Sequence, residues 1–136
     1  MRTRQFIQLI AAGLILLTAC SGGGSPAIDG TRAWFQALAE LRFDDVMKLT
    51  CASEPVRNEI AAKLDPFIDL KETLAALKGQ FDFSNLKFEE MSNNGRVATI
   101  RLSGSMKLVA LGQTEAMDVA EDLAVVNESG TWKVCA

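Results

Sequence analysis

Near residue 80 the spacing of apolar side chains changes, and this restricts the possible folds more than any other feature. Up to that point apolar residues recur every three or four positions, and beyond it they recur every second position. A stripe of period 3.6 buries one face of a helix, whereas a period of two buries one face of a strand. Helices followed by an antiparallel meander make an α+β fold.

The helical half reads as several pieces. Ile28, Thr31, Phe35 and Leu38 share a face, widened by Trp34 and Leu41, which predicts a helix over 26–41. Ser25 suits its cap and Pro26 its first turn. Gly30 weakens the start, so a beginning at Thr31 is the alternative. Asp44 caps a short second helix carrying Val46, Met47 and Leu49, with Cys51 just past its end. Ser53-Glu54-Pro55 opens another, with Val56, Ile60 and Leu64 on one face. Asp65-Pro66 is expected to stop it, since proline lacks the amide hydrogen a helix interior needs. A further helix or loop over Phe67, Leu70, Leu74 and Leu77 then runs to Gly79.

In the strand half, Phe81 and Phe83 come first, then Leu86 and Phe88. Ser92-Asn93-Asn94-Gly95 makes a hairpin turn. Ala98, Ile100 and Leu102 form one face of the next strand, Gly104 marks a bulge or bend, and Met106, Leu108 and Ala110 continue to a turn at Gly112. A long strand over 115–126, a turn at Asn127-Glu128-Ser129-Gly130 and a strand over 131–135 complete the meander.

At the other end of the chain, Arg2 and Arg4 precede a charge-free run from Phe6 to Leu17. This run has signal-peptide length and is shorter than the roughly 20 apolar residues of a spanning helix. Leu17-Thr18-Ala19-Cys20 follows, then Ser21-Gly22-Gly23-Gly24-Ser25-Pro26. In that order these features resemble a bacterial lipoprotein leader. The resemblance implies a signal peptide over 1–19, a diacylglycerol on the sulfur of Cys20, a flexible tether over 20–26 and one α+β domain over 27–136. It further implies a bacterial cell membrane location on the extracytoplasmic side, held by two or three acyl chains. The alternatives are an unlipidated secreted protein and an uncleaved anchor.

Charge and composition exclude several functions. The net charge of −3 becomes more negative once Arg2 and Arg4 are lost, which argues against nucleic acid as a partner. Histidine and tyrosine are both absent, so Ser–His and Cys–His nucleophile systems are excluded. No calcium-loop spacing occurs, and no metal or cofactor is expected. With Cys20 lipidated, Cys51 and Cys135 remain as a pair in an exported chain, and a disulfide is the simplest assignment. Two buried thiols are the alternative.

Trp34-Phe35-Gln36-Ala37-Leu38, the helix opened by Asp44-Asp45, and the ending Asn127-Glu128-Ser129-Gly130-Thr131-Trp132-Lys133-Val134 together resemble the cystatin-like, ketosteroid-isomerase-like superfamily. More closely, the chain is similar to small bacterial lipoproteins carrying such a domain without an assigned activity. In those, a cysteine after the second helix and one near the end look paired, as Cys51 and Cys135 would be. The resemblance implies helices on a curved antiparallel sheet, forming a cone that often encloses a pocket. Trp34 and Phe35 could line it, although aromatics at helical spacing usually serve the core.

Catalytic members use an acid with a tyrosine or a second acid, and no matching dyad can be placed here. One oddity is Glu121, which falls on the strand face of Met117, Val119, Leu123 and Val125. Turned inward and desolvated, it could act as an acid or base. The plainer readings are a bulge at Ala120-Glu121-Asp122 that turns it outward, or pairing with Arg101 or Arg32. The leading expectation is a non-catalytic envelope lipoprotein that binds a small apolar ligand or a protein partner. The rivals are an isomerase or dehydratase using Glu121, and an accessory subunit of an envelope assembly.

Overall fold

A computed structural model describes residues 25–136. The expected signal peptide, Cys20 and most of the tether lie outside the described residues. Among the described residues the fold is α+β: three helices packed against a curled, half-barrel antiparallel sheet.

Helix α1 spans Pro26–Ala39. Ser25 caps it: the Ile28 amide donates to Ser25 Oγ at 3.2 Å, and that hydroxyl donates to Glu90 Oε1 at 2.8 Å. The helix therefore starts at Pro26, and Gly30 does not delay it. Glycine serves another purpose here. A Cβ at Gly30 would lie 2.7 Å from the Trp132 carbonyl oxygen and 2.9 Å from its Cβ, so the bare backbone lets α1 sit close on the last strand. Helix α2 spans Phe43–Lys48, with Arg42 at the cap position in place of Asp44; Asp44 and Asp45 stand in the first turn, facing the positive helix end.

Helix α3 is one continuous element, Glu54–Ala76, of 23 residues with Pro66 inside it. This corrects the expected break at Asp65-Pro66. The proline removes one amide donor and leaves the Ala62 carbonyl unpaired within the helix, but both residues lie on the exposed side, where water can take that bond. Beyond Pro66 the helix keeps Phe67, Ile68 and Leu70 exposed.

The strands are β1 (Gln80–Asp82), β2 (Leu86–Asn93), β3 (Val97–Ala110), β4 (Gln113–Glu128) and β5 (Thr131–Val134). β3 is central, with its far half paired to β1 (Gln80↔Val109) and its near half to β2 (Leu86↔Gly104). β1 and β2 are thus two pieces of one broken strand. The break lies at Phe83–Asn85, opposite Gly104, which has a φ of +98°. β3 and β4 pair without a register shift from Val97↔Val126 to Ala110↔Gln113. β5 is short and reaches only Val125–Glu128 of β4.

Two apolar clusters form the core. Ala27 and Ile28 of α1 meet Ala98, Ile100 and Val125 of the sheet, with Phe88 and Trp132 packed against them. Ala37, Phe43, Val46, Ile60 and Leu64 join the three helices. The buried polar groups are satisfied locally. Thr50 Oγ1 donates to the Val46 carbonyl at 2.7 Å and accepts from Trp34 Nε1 at 3.1 Å. Thr31 Oγ1 donates to the Ala27 carbonyl at 2.8 Å. Past α2 the chain runs parallel to β5: the Cys51 amide donates to the Val134 carbonyl and the Val134 amide to the Leu49 carbonyl, both at 2.9 Å. The sulfurs of Cys51 and Cys135 stand at disulfide distance, as the expected pairing requires, with Cα atoms 5.1 Å apart.

Candidate functional site

The far half of the sheet curls away from α1, and α3 passes over the opening. Between them lies a cleft of about 490 Å³. Its inner wall is Trp34, Leu38, Leu41 and Phe43 from the α1–α2 region. Ile60, Leu64 and Phe67 of α3 form one side, Phe81 and Phe83 another, and Met106, Leu108 and Met117 the floor. Burial falls along it, from Phe43 at 9% exposed to Phe67 at 37% and Met117 at 61%, so the mouth lies at Phe67 and Met117. Lys63 and Glu115 stand at this rim.

Strand alternation explains the floor. Met106 faces Met117 and Leu108 faces Glu115 across the β3–β4 ladder, on the face that also carries Ile100 and Leu102. The near half of that face is covered by α1 and is solid core, while the far half extends past α1 and is roofed only by α3. The one indole donor on the wall, Trp34 Nε1, is already engaged by Thr50. Among the described residues no buried side-chain polar atom lacks a partner. The cleft interior is therefore hydrocarbon and aromatic ring without a polar group awaiting one.

Of the two aromatics singled out from sequence, Trp34 lines the cleft. Phe35 stands behind it, packed edge-on against Trp34, Phe83 and Phe88 with ring centroids 4.9, 5.6 and 5.9 Å away, and serves the core. In the sequence the remaining apolar lining residues belong to helix stripes or strand faces and carry no mark of a shared site. Their convergence is tertiary, and α3 contributes Ile60 and Leu64 before Pro66 and Phe67 just after it.

Glu121 keeps the inner face but is exposed. It pairs in register with Leu102, which is 1% exposed, so no bulge turns it outward. From Gln113 to Leu123, β4 is the margin of the sheet, and nothing beyond it shields the carboxylate. The desolvation on which an acid or base role rests is absent. Neither suggested partner holds it. Arg101 pairs with Asp122 at 2.9 and 3.2 Å, and Arg32 lies over the Phe88 ring, 5.4 Å from its centroid.

The pKa shifts belong to the surface. Hydrogen bonding from the Arg101 guanidinium holds the Asp122 carboxyl below the ordinary carboxylate value, and Asp122 in turn raises Arg101. A hydrogen bond to Glu59, at 2.9 Å, raises Lys63 at the cleft rim. For Asp122 the lowered folded value means the pair adds stability above the unfolded carboxylate range, and this is lost as pH falls through the folded value. Arg101→Ala should move the Asp122 carboxyl back up toward its ordinary value in an NMR pH titration. An unchanged titration would show that the pair does not form in solution.

Among the described residues, no group of His, Cys, Asp and Glu could hold a metal ion, and no helix is long and apolar enough to cross a membrane. Compared with known proteins, the sequence matches no protein-family model and no curated relative at significance.

Proposed function

We propose that the protein is a lipid-anchored cell-envelope protein with a non-catalytic, cystatin-like domain, and that its cleft binds a small apolar molecule. The observation that carries the binding role is the cleft itself. Its lining is apolar apart from Lys63, Lys107 and Glu115, and its volume of about 490 Å³ is within the range of roughly 300–1,000 Å³ usual for small-molecule sites. The anchor rests on the ordered leader sequence ending in Leu17-Thr18-Ala19-Cys20 and the glycine-rich tether after it. An enzymatic role receives no such support: histidine and tyrosine are lacking, and Glu121 is solvated.

The test uses the full chain reconstituted into phosphatidylglycerol vesicles. A small apolar carbene precursor, trifluoromethyl phenyl diazirine, is added and photolysed, and labelled peptides are identified by mass spectrometry. Labelling should concentrate on the peptides holding Phe67, Met106, Leu108 and Met117. Met117→Trp, which places an indole at the mouth without touching the core, should reduce cleft labelling about tenfold. Labelling spread evenly over every exposed apolar side chain, including Leu111 at the far hairpin, would overturn the reading. The same preparation reports the anchor, because a lipidated Cys20 adds the mass of its acyl chains.

A further inference from the structure

Resting on the apolar-binding reading above, we infer that the ligand is a single-chain or two-chain amphiphile, and that the cleft takes one of its unbranched alkyl chains with the headgroup left outside at Phe67 and Met117. A ligand carrying a hydroxyl, carbonyl or amide at depth would leave that group unpaired, because Trp34 Nε1 is already committed to Thr50 and no other side-chain donor reaches the inner wall. Burying a polar group without a hydrogen-bond partner is unfavourable and selects against such ligands. A saturated chain has nothing to pair.

The gradient of exposure then fixes the orientation. Phe43 at the inner end is 9% exposed and Met117 at the mouth 61%, so one end of the ligand is dry and the other wet, as an amphiphile requires. Of the charged residues along the cleft, Lys107 is half-buried, while Lys63 and Glu115 are exposed at the wet end. There Lys63 and Glu115 present both signs, so a head of either charge finds a partner. Met106 and Met117, facing each other across the floor, are unbranched and torsionally soft, and such side chains follow a chain of variable conformation better than a rigid ring. The supply is close in the anchored protein. Ser25 lies five chain steps beyond Cys20, and at about 3.5 Å each these hold the domain within reach of a bilayer made of such chains.

Two sources offer this chemistry, a free fatty acid and an intact membrane lipid. In the vesicle preparation already described, one arm receives hexadecanoic acid bearing a diazirine in its chain. The other receives phosphatidylglycerol bearing the same diazirine chain. Adducts should appear on the peptides with Met106, Leu108 and Met117 and fall about tenfold with Met117→Trp. Unlabelled hexadecanoic acid should compete in the first arm. Adducts in the first arm alone identify the free acid, and adducts in the second identify the bilayer lipid; either supports the inference. If phenyl diazirine labels the cleft and neither chain does, the alkyl-chain inference falls and apolar binding stands. If none of the three labels it, both fall. Far-UV circular dichroism of Met117→Trp separates lost binding from lost fold. If that variant is unfolded, Phe67→Glu, changing a side chain 37% exposed at the mouth, gives the same comparison.

Discussion

Replacing Cys135 by serine is expected to destabilise the fold by about 2–5 kcal/mol, read as a lower urea midpoint. The bridge to Cys51 closes a separation of 84 residues, for which loop-closure entropy alone gives roughly 4–5 kcal/mol. Most of this effect acts on the unfolded chain. The folded junction has its own support, since the Cys51 amide and the Val134 amide each make a 2.9 Å backbone bond across it. The serine variant should therefore keep the native circular dichroism spectrum while unfolding at lower urea. Wild-type protein in reductant should match it. If reductant leaves the wild-type midpoint unchanged, the two sulfurs are free thiols and the assignment fails.

A second large effect is expected at Gly104. Its φ of +98° is outside the range that side chains adopt readily, and a Cβ there would run into the Asn85 carbonyl. Backbone strain of about 1–3 kcal/mol and overpacking of similar size act together, so Gly104→Ala should destabilise by about 2–5 kcal/mol in urea unfolding. Gly112→Ala is the internal control. It too has a positive φ, +74°, but nothing lies within 4 Å of the added Cβ, so it carries only the conformational part. Equal losses at the two sites would mean that the approach of Asn85 to β3 contributes nothing. The position matters to the cleft as well, because the break at Phe83–Asn85 lets β1 swing Phe81 and Phe83 onto the cleft wall.

The features legible in the sequence were those that local periodicity encodes. The change of period near residue 80 separates helices from strands in the structure, and the alternation of Ala98, Ile100 and Leu102 places all three on the buried face. At Gly30 and Pro66 tertiary context overrides local preference. Gly30 is required by the backbone of Trp132, more than a hundred residues along the chain. Pro66 is tolerated because its side of α3 meets water. Glu121 is the instructive case: alternation gives its face correctly, but burial depends on whether another strand covers the margin, and β5 stops too soon. The cleft was hidden for a related reason. Its walls come from α1, α2, α3, β1, β3 and β4, which are far apart in sequence, and the passage of α3 through Pro66 adds Phe67 to them.

The shortness of β5 also bears on self-association. Ala124 offers its carbonyl outward, to the Cys135 amide at 2.8 Å, so alternate residues back along β4 point their backbone groups the same way, with no strand beside them. Such a margin is a template on which a second copy could add its own strand. Here it carries Glu115, Asp118, Glu121 and Asp122 and no lysine or arginine between Gln113 and Glu128. Two copies joined antiparallel about Asp118 would set that carboxylate against itself and Glu115 against Glu121. The acidic margin thus opposes the zipping of two copies into a shared sheet, and leaves the adjoining cleft mouth open.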